Sequence, residues 1–243
     1  MRIPLLLLSA LTLFSCKKEV QRSSSIELGD ETGLEVTYSS RDISGDYFIP
    51  DHFDLDLDND GVFDVRLNSS SNYSDILGFS PDANIEPLST SFHVLIDKVP
   101  DSIFVHHSIQ FTTNQSNEQI AIESTTYSCE REEPFSQVFE TQEMFVPAPK
   151  TKGEVIALTD SYRSELVYFA RPNEAVFEST GFVDQGVSYY SFIVHLRDCM
   201  EYPQGVYKYI GFKMTSADGT RLGWLKMSVQ GSRIKMNSWA IQK

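Results

Sequence analysis

Short segments with the composition of β-strands follow one another along almost the whole chain, and this pattern most constrains the fold. They are rich in Val, Ile, Phe, Tyr and Thr, and Gly, Pro, Asn or Asp separates them. No segment shows the periodicity of an amphipathic helix. We therefore expect an all-β protein, an antiparallel β-sandwich with a jelly-roll-like arrangement. The predicted strands are 34–38, 51–57, 62–67, 91–96, 103–111, 119–128, 154–158, 165–170, 187–197, 206–214, 221–229 and 233–241.

The chain shows no composition break and no internal repeat, so the strands are assigned to one domain. Its 243 residues suffice for one large β domain or two small sandwiches. We place a single β-sandwich domain at 28–243. Two stretches within it, around 68–90 and around 130–153, are predicted to be long loops.

A dense run of carboxylates interrupts the strand pattern early in this domain. Residues 56–64 read Asp-Leu-Asp-Asn-Asp-Gly-Val-Phe-Asp, with Asp54 just upstream. Apolar and acidic residues alternate before the turn, which predicts a β-hairpin at 51–67 that turns at 58–61. So much like charge in one short loop is repulsive unless a cation neutralises it, and oxygen ligands at this density suit Ca²⁺. The run therefore predicts a calcium site.

The backbone of this turn must curl if its carboxylates are to share one ion. Side chains two apart on one face of a flat strand are separated by roughly 6.6 Å, whereas ligand oxygens lie about 2.3–2.6 Å from Ca²⁺. Gly61 supplies the backbone freedom for the bend. The alternative is an acidic turn that faces solvent, in which Asp and Asn side chains cap the backbone.

The spacing D-x-D-x-D-G-x-x-D resembles the calcium loops of EF-hands, dockerins, thrombospondin type 3 repeats and integrin α-chain propellers. An EF-hand proper would carry a bidentate Glu where this chain has Leu67, and no helix-forming segment flanks the loop. The strand-loop-strand versions therefore fit better, although the loop occurs here once. The resemblance implies these ligands: the side chains of Asp56, Asp58, Asp60 and Asp64, and the backbone carbonyl of Val62.

The N-terminus has the pattern of an export signal. Arg2 supplies a positive charge, and residues 5–14 form an apolar run that is too short to span a bilayer. Residues 1–15 are therefore predicted to be a signal peptide. Residues 13–16 resemble the lipobox of bacterial lipoproteins, which implies cleavage before Cys16 and its acylation with palmitate-type chains. The alternatives are ordinary cleavage with a free Cys16, or no cleavage.

A lipidated Cys16 would anchor the protein to a membrane, because several acyl chains on one residue give stable membrane binding, whereas a single chain does not. Residues 16–27 are polar and rich in serine, so we expect a flexible tether there. The charged run 17–19 is similar to the tethers of surface-displayed lipoproteins in the Bacteroidetes. This resemblance implies an outer-membrane lipoprotein, exposed at the cell surface or facing the periplasm.

Two cysteines remain after Cys16 is assigned to lipid. Cys129 and Cys199 both lie beside turn-like segments, and a compartment outside the cytoplasm permits oxidation. A bridge between them would close a long loop and stabilise the fold by roughly 4 kcal/mol in the chain-entropy model. Two separately buried thiols are the alternative.

The C-terminal stretch carries a second recurrent pattern. Residues 209–212 (Tyr-Ile-Gly-Phe), 223–224 (Gly-Trp) and 239–240 (Trp-Ala) resemble an ending found in exported bacterial β proteins, often downstream of a D-x-D-x-D-G hairpin. The resemblance extends over about 45–241 and implies a fold rather than an activity.

The same stretch predicts two strand faces of different character. One face is apolar: Ile210, Phe212, Met214, Leu225, Met227, Val229, Ile234 and Met236. Aromatic rings interspersed with Lys and Arg are expected on the opposite face: Tyr207, Tyr209, Trp224 and Trp239. Such rings can stack on sugars and form a glycan-binding surface, or they can be covered as ordinary core.

No catalytic motif is present: the chain lacks G-x-S-x-G, H-E-x-x-H, P-loop, dinucleotide and C-x-x-C signatures. The formal net charge of −14 also argues against nucleic acid as a partner. We therefore favour a non-catalytic, calcium-stabilised envelope lipoprotein with a structural, adhesive, or glycan- or protein-binding role. The alternative is a secreted hydrolase that acts on polysaccharide, whose carboxylates meet only in the fold.

Overall fold

The computed structural model describes residues 22–74, 78–113, 117–128, 137–171, 174–184, 187–195 and 202–243. Within these ranges the chain forms β-strands and no helix, so the all-β prediction is confirmed. The same residues accordingly include no helix that is long and apolar enough to cross a membrane. The strands are β1 Ser25–Glu27, β2 Leu34–Ile43, β3 Asp51–Leu55, β4 Val65–Ser74, β5 Gly78–Pro87, β6 Phe92–Thr113, β7 Gln119–Ser128, β8 Gln137–Pro147, β9 Val155–Ala157, β10 Tyr162–Arg163, β11 Val167–Ala170, β12 Glu174–Asp184, β13 Val187–His195, β14 Lys208–Ser216, β15 Gly219–Gln230 and β16 Arg233–Gln242.

Two sheets face each other across the main core. The smaller sheet has the order β11-β5-β4-β3, and it packs on the β6-β14-β15-β16-β2 part of a larger sheet. Leu67 and Ile85 of the small sheet and Phe212 and Leu225 of the large one are fully buried in this core. Burial of each such side chain contributes about 1.5–3 kcal/mol. The predicted apolar face of the C-terminal strands is this inner face, and every residue predicted for it is buried.

A second, smaller core covers the outer face of the large sheet. The two-stranded sheet β1-β9 places Ile26, Leu28 and Ile156 against Tyr209 and Trp224. The predicted flexible tether at 16–27 is therefore wrong at its C-terminal end, because β1 lies within it and is part of the folded body. The apolar alternation of only three residues in β1 is too short to stand out from a serine-rich sequence.

The large sheet continues beyond the sandwich along β6, which is 22 residues long. Its first residues pair with β14 and β10, and from Ile96 onward it pairs with β8 and then β7. The next neighbour, β13, runs parallel to β7, whereas the other strand pairs among the described residues are antiparallel. The edge of this extension is β12, for which the sequence pattern predicts no strand.

Both long loops predicted from the sequence contain strands. The stretch around 68–90 contains the end of β4 and all of β5, and the stretch around 130–153 contains β8. In β5 the polar Asp82, Asn84 and Glu86 lie on the outer face, where cross-strand hydrogen bonds pair Asn84 and Glu86. The Asn68 side chain, for example, donates to Asn84 Oδ1 at 2.9 Å and to Glu86 Oε2 at 3.1 Å. Composition alone therefore mistakes a polar strand face for a loop.

Candidate metal centre

The acidic loop connects β3 to β4 and is held at both ends by the core. Leu55 and Leu57 are each 1 % exposed, so the chain enters the loop with two buried anchors. The amide of Asp64 donates to the carbonyl of Leu55 at 2.8 Å, and this hydrogen bond closes the loop. The predicted hairpin at 51–67 is therefore present, with its strands confined to 51–55 and the residues from 65 onward.

Inside the loop, backbone amides point toward carboxylates. Asp56 accepts hydrogen bonds from the amides of Asp60, at 3.2 Å, and Gly61, at 2.8 Å. Asn59 and Gly61 have φ values of 58° and 90°, the left-handed region that Gly and Asn adopt most readily. These two residues produce the curl that a shared ion requires.

Three of the predicted ligands converge on one point. Each of Asp56, Asp58 and Asp64 offers a carboxylate oxygen, and these oxygens all lie within 4.8 Å of one another. Two oxygens bound to the same Ca²⁺ are at most about 5.2 Å apart. The three side chains therefore fit one cation in the arrangement observed.

Asp60, the fourth predicted carboxylate ligand, lies outside this cluster. Asp60 Oδ1 accepts a hydrogen bond from the amide of Val62 at 2.8 Å, so one of its oxygens caps the turn. The side chain of Val62 is 60 % exposed, and its backbone carbonyl as a fifth ligand stays a prediction. The cluster thus contains three carboxylates, whereas the sequence spacing predicts four.

Burial raises the free-energy cost of negative charge in the cluster. Asp64 is 5 % exposed, and its removal from water raises the pKa of its carboxyl to about 6. The negative charges of Asp58, Asp60 and Asp56 contribute to this raised value, while a hydrogen bond of 2.8 Å from the Leu57 amide to Oδ2 acts in the opposite direction. A divalent cation at this point would offset the repulsion among the carboxylates.

Arg221 is a member of the site that sequence reasoning missed. It lies 163 positions from Asp58, on β15, and its guanidinium forms an ion pair with Asp58 Oδ2. Both side chains are largely buried, at 16 % and 13 % exposure. Asp58 Oδ1 and Arg221 Nε are also buried, and neither has a hydrogen-bond partner among the described residues. No local signal in the sequence marks this pair, because only the fold brings β15 to the loop.

The four aromatic residues predicted on one face of the C-terminal strands do not form a common exposed surface. Tyr209, Trp224 and Trp239 are 8 %, 2 % and 9 % exposed, and only Tyr207, at 48 %, is open to solvent. Tyr209 and Trp224 pack edge-to-face beneath β1-β9. Trp239 lies in the main core instead, because a register shift in the pairing of β15 with β16 after Met236 moves it to the opposite face. These three residues are therefore part of the core, which is the alternative to a sugar-binding surface.

The three cysteines fall outside the described residues. This applies to the predicted lipidation site at Cys16 and to the predicted bridge between Cys129 and Cys199. The signal peptide at 1–15 lies outside them as well.

Comparison with protein-family models, with curated proteins and with solved structures found no match to this chain.

Proposed function

We propose that this chain is a calcium-stabilised β-sandwich protein of the cell envelope, anchored to the outer membrane through Cys16, with a binding or structural role rather than a catalytic one. The observation that carries the proposal is the convergence of Asp56, Asp58 and Asp64 within 4.8 Å. The buried, unpartnered Asp58 Oδ1 supports it, since an ion would satisfy that atom.

In this role the ion would be structural. Asp56, Asp58 and Asp64 would hold it, and it would supply the positive charge that three clustered carboxylates lack. The loop is anchored through Leu57 in the main core and through Arg221 on the large sheet, so an ion there would tie both sheets to one rigid hairpin. Loss of the ion would therefore destabilise the whole domain and not only the loop.

Thermal unfolding of residues 17–243 tests this proposal. We expect EDTA to lower the melting temperature by several degrees relative to about 5 mM Ca²⁺, because an ion bound only by the folded state stabilises it. The double variant Asp56→Asn with Asp58→Asn should melt at the same temperature in both buffers. Glu165→Gln, which changes a carboxylate that is 72 % exposed and is not part of the cluster, is the matched control. A wild-type melting temperature that does not respond to calcium would contradict the proposal.

The membrane anchor is tested separately by fractionation. In a Gram-negative host, the full chain should appear in the outer-membrane fraction and incorporate labelled palmitate. Cys16→Ser should lose the label and release the protein from the membrane. A Cys16→Ser protein that remains in the membrane fraction would show that the attachment does not depend on this cysteine.

A further inference from the structure

Exposed aromatic side chains gather at the end of the sandwich opposite to the acidic loop. The loop contacts the start of β2, where Asn59 donates to Glu35, whereas this group follows the end of β2. We call it the overhang cluster. Its members and their exposed fractions are Phe48 (80 %), Ile49 (73 %), Phe79 (64 %), Tyr73 (48 %) and Tyr47 (46 %).

The cluster exists because the hairpin of β4 and β5 is longer than the sheet it faces. The turn between β15 and β16 ends near Pro81, where a Cβ on Gly231 would lie 3.9 Å from the proline Cβ. Tyr73 and Phe79 form a cross-strand pair beyond that point. Tyr73 lies on the strand face that buries Leu67, so the core face of the hairpin continues past the end of the sandwich.

The 44–50 loop that supplies the other rings is held rigidly. The amide of Gly45 donates to Ser69 Oγ at 2.8 Å, and a Cβ at Gly45 would lie 2.0 Å from the Ser69 carbonyl oxygen, so only glycine fits. Asp46 Oδ1 accepts from the amides of Phe48 and Ile49, both at 2.8 Å. The rings are therefore presented by a fixed turn, which lowers the entropic cost of binding.

The rings touch one another at steep angles. The Tyr47 ring centroid lies 5.1 Å from that of Phe48 and 6.1 Å from that of Tyr73, with interplanar angles of 79° and 61°. Tyr73 and Phe79 are 4.9 Å apart at 52°. Ring faces and edges in several orientations suit a ligand with apolar faces and a polar perimeter.

The size and charge of the overhang cluster restrict its partner. Five partly exposed side chains offer roughly 500 Å², which is less than the roughly 800 Å² per partner of a stable protein interface. The described segments that form it, 44–50, 71–74 and 78–80, contain no Lys or Arg, and their acid Asp46 is engaged by backbone amides. The net charge of −14 opposes approach to a second copy or to an anionic bilayer. A small neutral ligand fits best.

The proposed lipid anchor at Cys16 would hold the overhang cluster away from the membrane. This argument rests on the proposed function. Arg22 is fixed at the acidic-loop end, where its side chain donates to the carbonyls of Lys243 and Asp218 at 3.0 and 2.7 Å. The six residues from Cys16 to Arg22 reach at most about 20 Å, whereas the ten residues of β2 span about 33 Å toward the cluster. The anchored membrane is thus a poor partner for it.

From these observations we infer that the overhang cluster binds neutral carbohydrate, with the C–H faces of sugar rings stacked on Phe48 and Phe79. The hydroxyls of Tyr47 and Tyr73 can pair with sugar hydroxyls. The site deepens the proposed binding role and lies apart from the metal loop.

Binding of neutral oligosaccharides of glucose, mannose, xylose and galactose to residues 17–243, by glycan array followed by calorimetry, tests the inference. We expect at least one to bind, and Phe48→Ala and Phe79→Ala each to weaken it at least tenfold. Phe111→Ala, which removes a ring that is 70 % exposed on the extension, should leave binding unchanged. Absence of binding by every sugar, or binding that both cluster variants retain, would overturn the inference.

Two further measurements distinguish carbohydrate binding from binding of a second copy or a membrane, and from calcium binding. Dimerisation of the wild type in light scattering, or its binding to zwitterionic vesicles, would overturn the carbohydrate inference if Phe48→Ala abolished it. The variant Asp56→Asn with Asp58→Asn should keep its affinity for sugar, because the two sites lie at opposite ends. Failure of calcium binding would then leave this inference standing, and failure of sugar binding would leave the calcium site standing.

Discussion

At the scale of single residues, Asp64 couples protonation to folding. Burial, reinforced by three neighbouring carboxylates, raises its pKa to about 6 in the folded state, whereas an unfolded Asp titrates near 3.9. A carboxyl with a raised pKa stabilises the fold when protonated, so its contribution is full below about pH 4 and is lost as the pH rises through 6.

The prediction is a pH-dependent stability in buffers that have been freed of calcium. Between pH 4 and pH 7 this carboxyl should lower the free energy of unfolding by about 2 kcal/mol, measured by urea denaturation. Asp64→Asn should remove that component, with Glu165→Gln as the control. Identical pH profiles for the wild type and Asp64→Asn would show that Asp64 is not the responsible group.

Arg221 would compete with a bound metal ion for Asp58, so its removal should have opposite effects on stability and on calcium affinity. Arg221→Met should destabilise the calcium-free protein by about 3 kcal/mol, because it leaves a buried carboxylate unpaired. The same variant should bind Ca²⁺ more tightly, because a positive charge has left the site. Arg233→Met, which breaks a half-exposed pair with Asp42, is the control. Weaker calcium binding by Arg221→Met would mean that the arginine organises the site rather than competing for it.

The acidic spacing identifies the loop and its three converging carboxylates within nine consecutive residues, although it also predicts Asp60, which lies outside the cluster. The alternation on either side of the loop predicts the hairpin. Arg221 cannot be found in this way, because its role depends on a long-range contact between β15 and the loop.

At the scale of elements, the close approach of strands at Gly223 can be tested. A Cβ there would lie 2.2 Å from Phe212 Cζ and 2.4 Å from the carbonyl oxygen of Ala240, so neither an aromatic ring nor the neighbouring backbone leaves room. Gly223→Ala should destabilise the protein by about 3 kcal/mol in urea denaturation. Lys235→Ala, at an exposed position of the neighbouring β16, should change stability little. Near-equal effects of the two substitutions would contradict the packing described.

The alternation of apolar and polar residues predicts most of the strands. It does not predict which face of the sheet a residue lies on after a register shift. The inward face of Ile210 and Phe212 follows directly from alternation. Alternation fails at Trp239, because the register shift after Met236 adds one residue and exchanges the two faces. In β5 it is composition that misleads, because the outward Asn84 pairs with a polar side chain on β4.

At the scale of the whole molecule, the folded body begins earlier than the sequence suggests. Ile26 and Leu28 are buried against the outer face of the large sheet. A chain that begins at residue 30 should therefore be less stable than one that begins at residue 17, by roughly 3–6 kcal/mol. Urea denaturation of the two chains measures this difference. Equal midpoints would show that β1 contributes no stability and behaves as the tether that its composition suggests.

Titration calorimetry of residues 17–243 with calcium chloride tests the metal site most directly. We expect one ion per chain, with a dissociation constant of about 10⁻⁵–10⁻³ M and weaker binding of Mg²⁺. The variant Asp56→Asn with Asp58→Asn should give no heat. If the wild type also gives none at about 10 mM calcium, Asp56, Asp58 and Asp64 form only an acidic turn, and the calcium-stabilised domain is wrong.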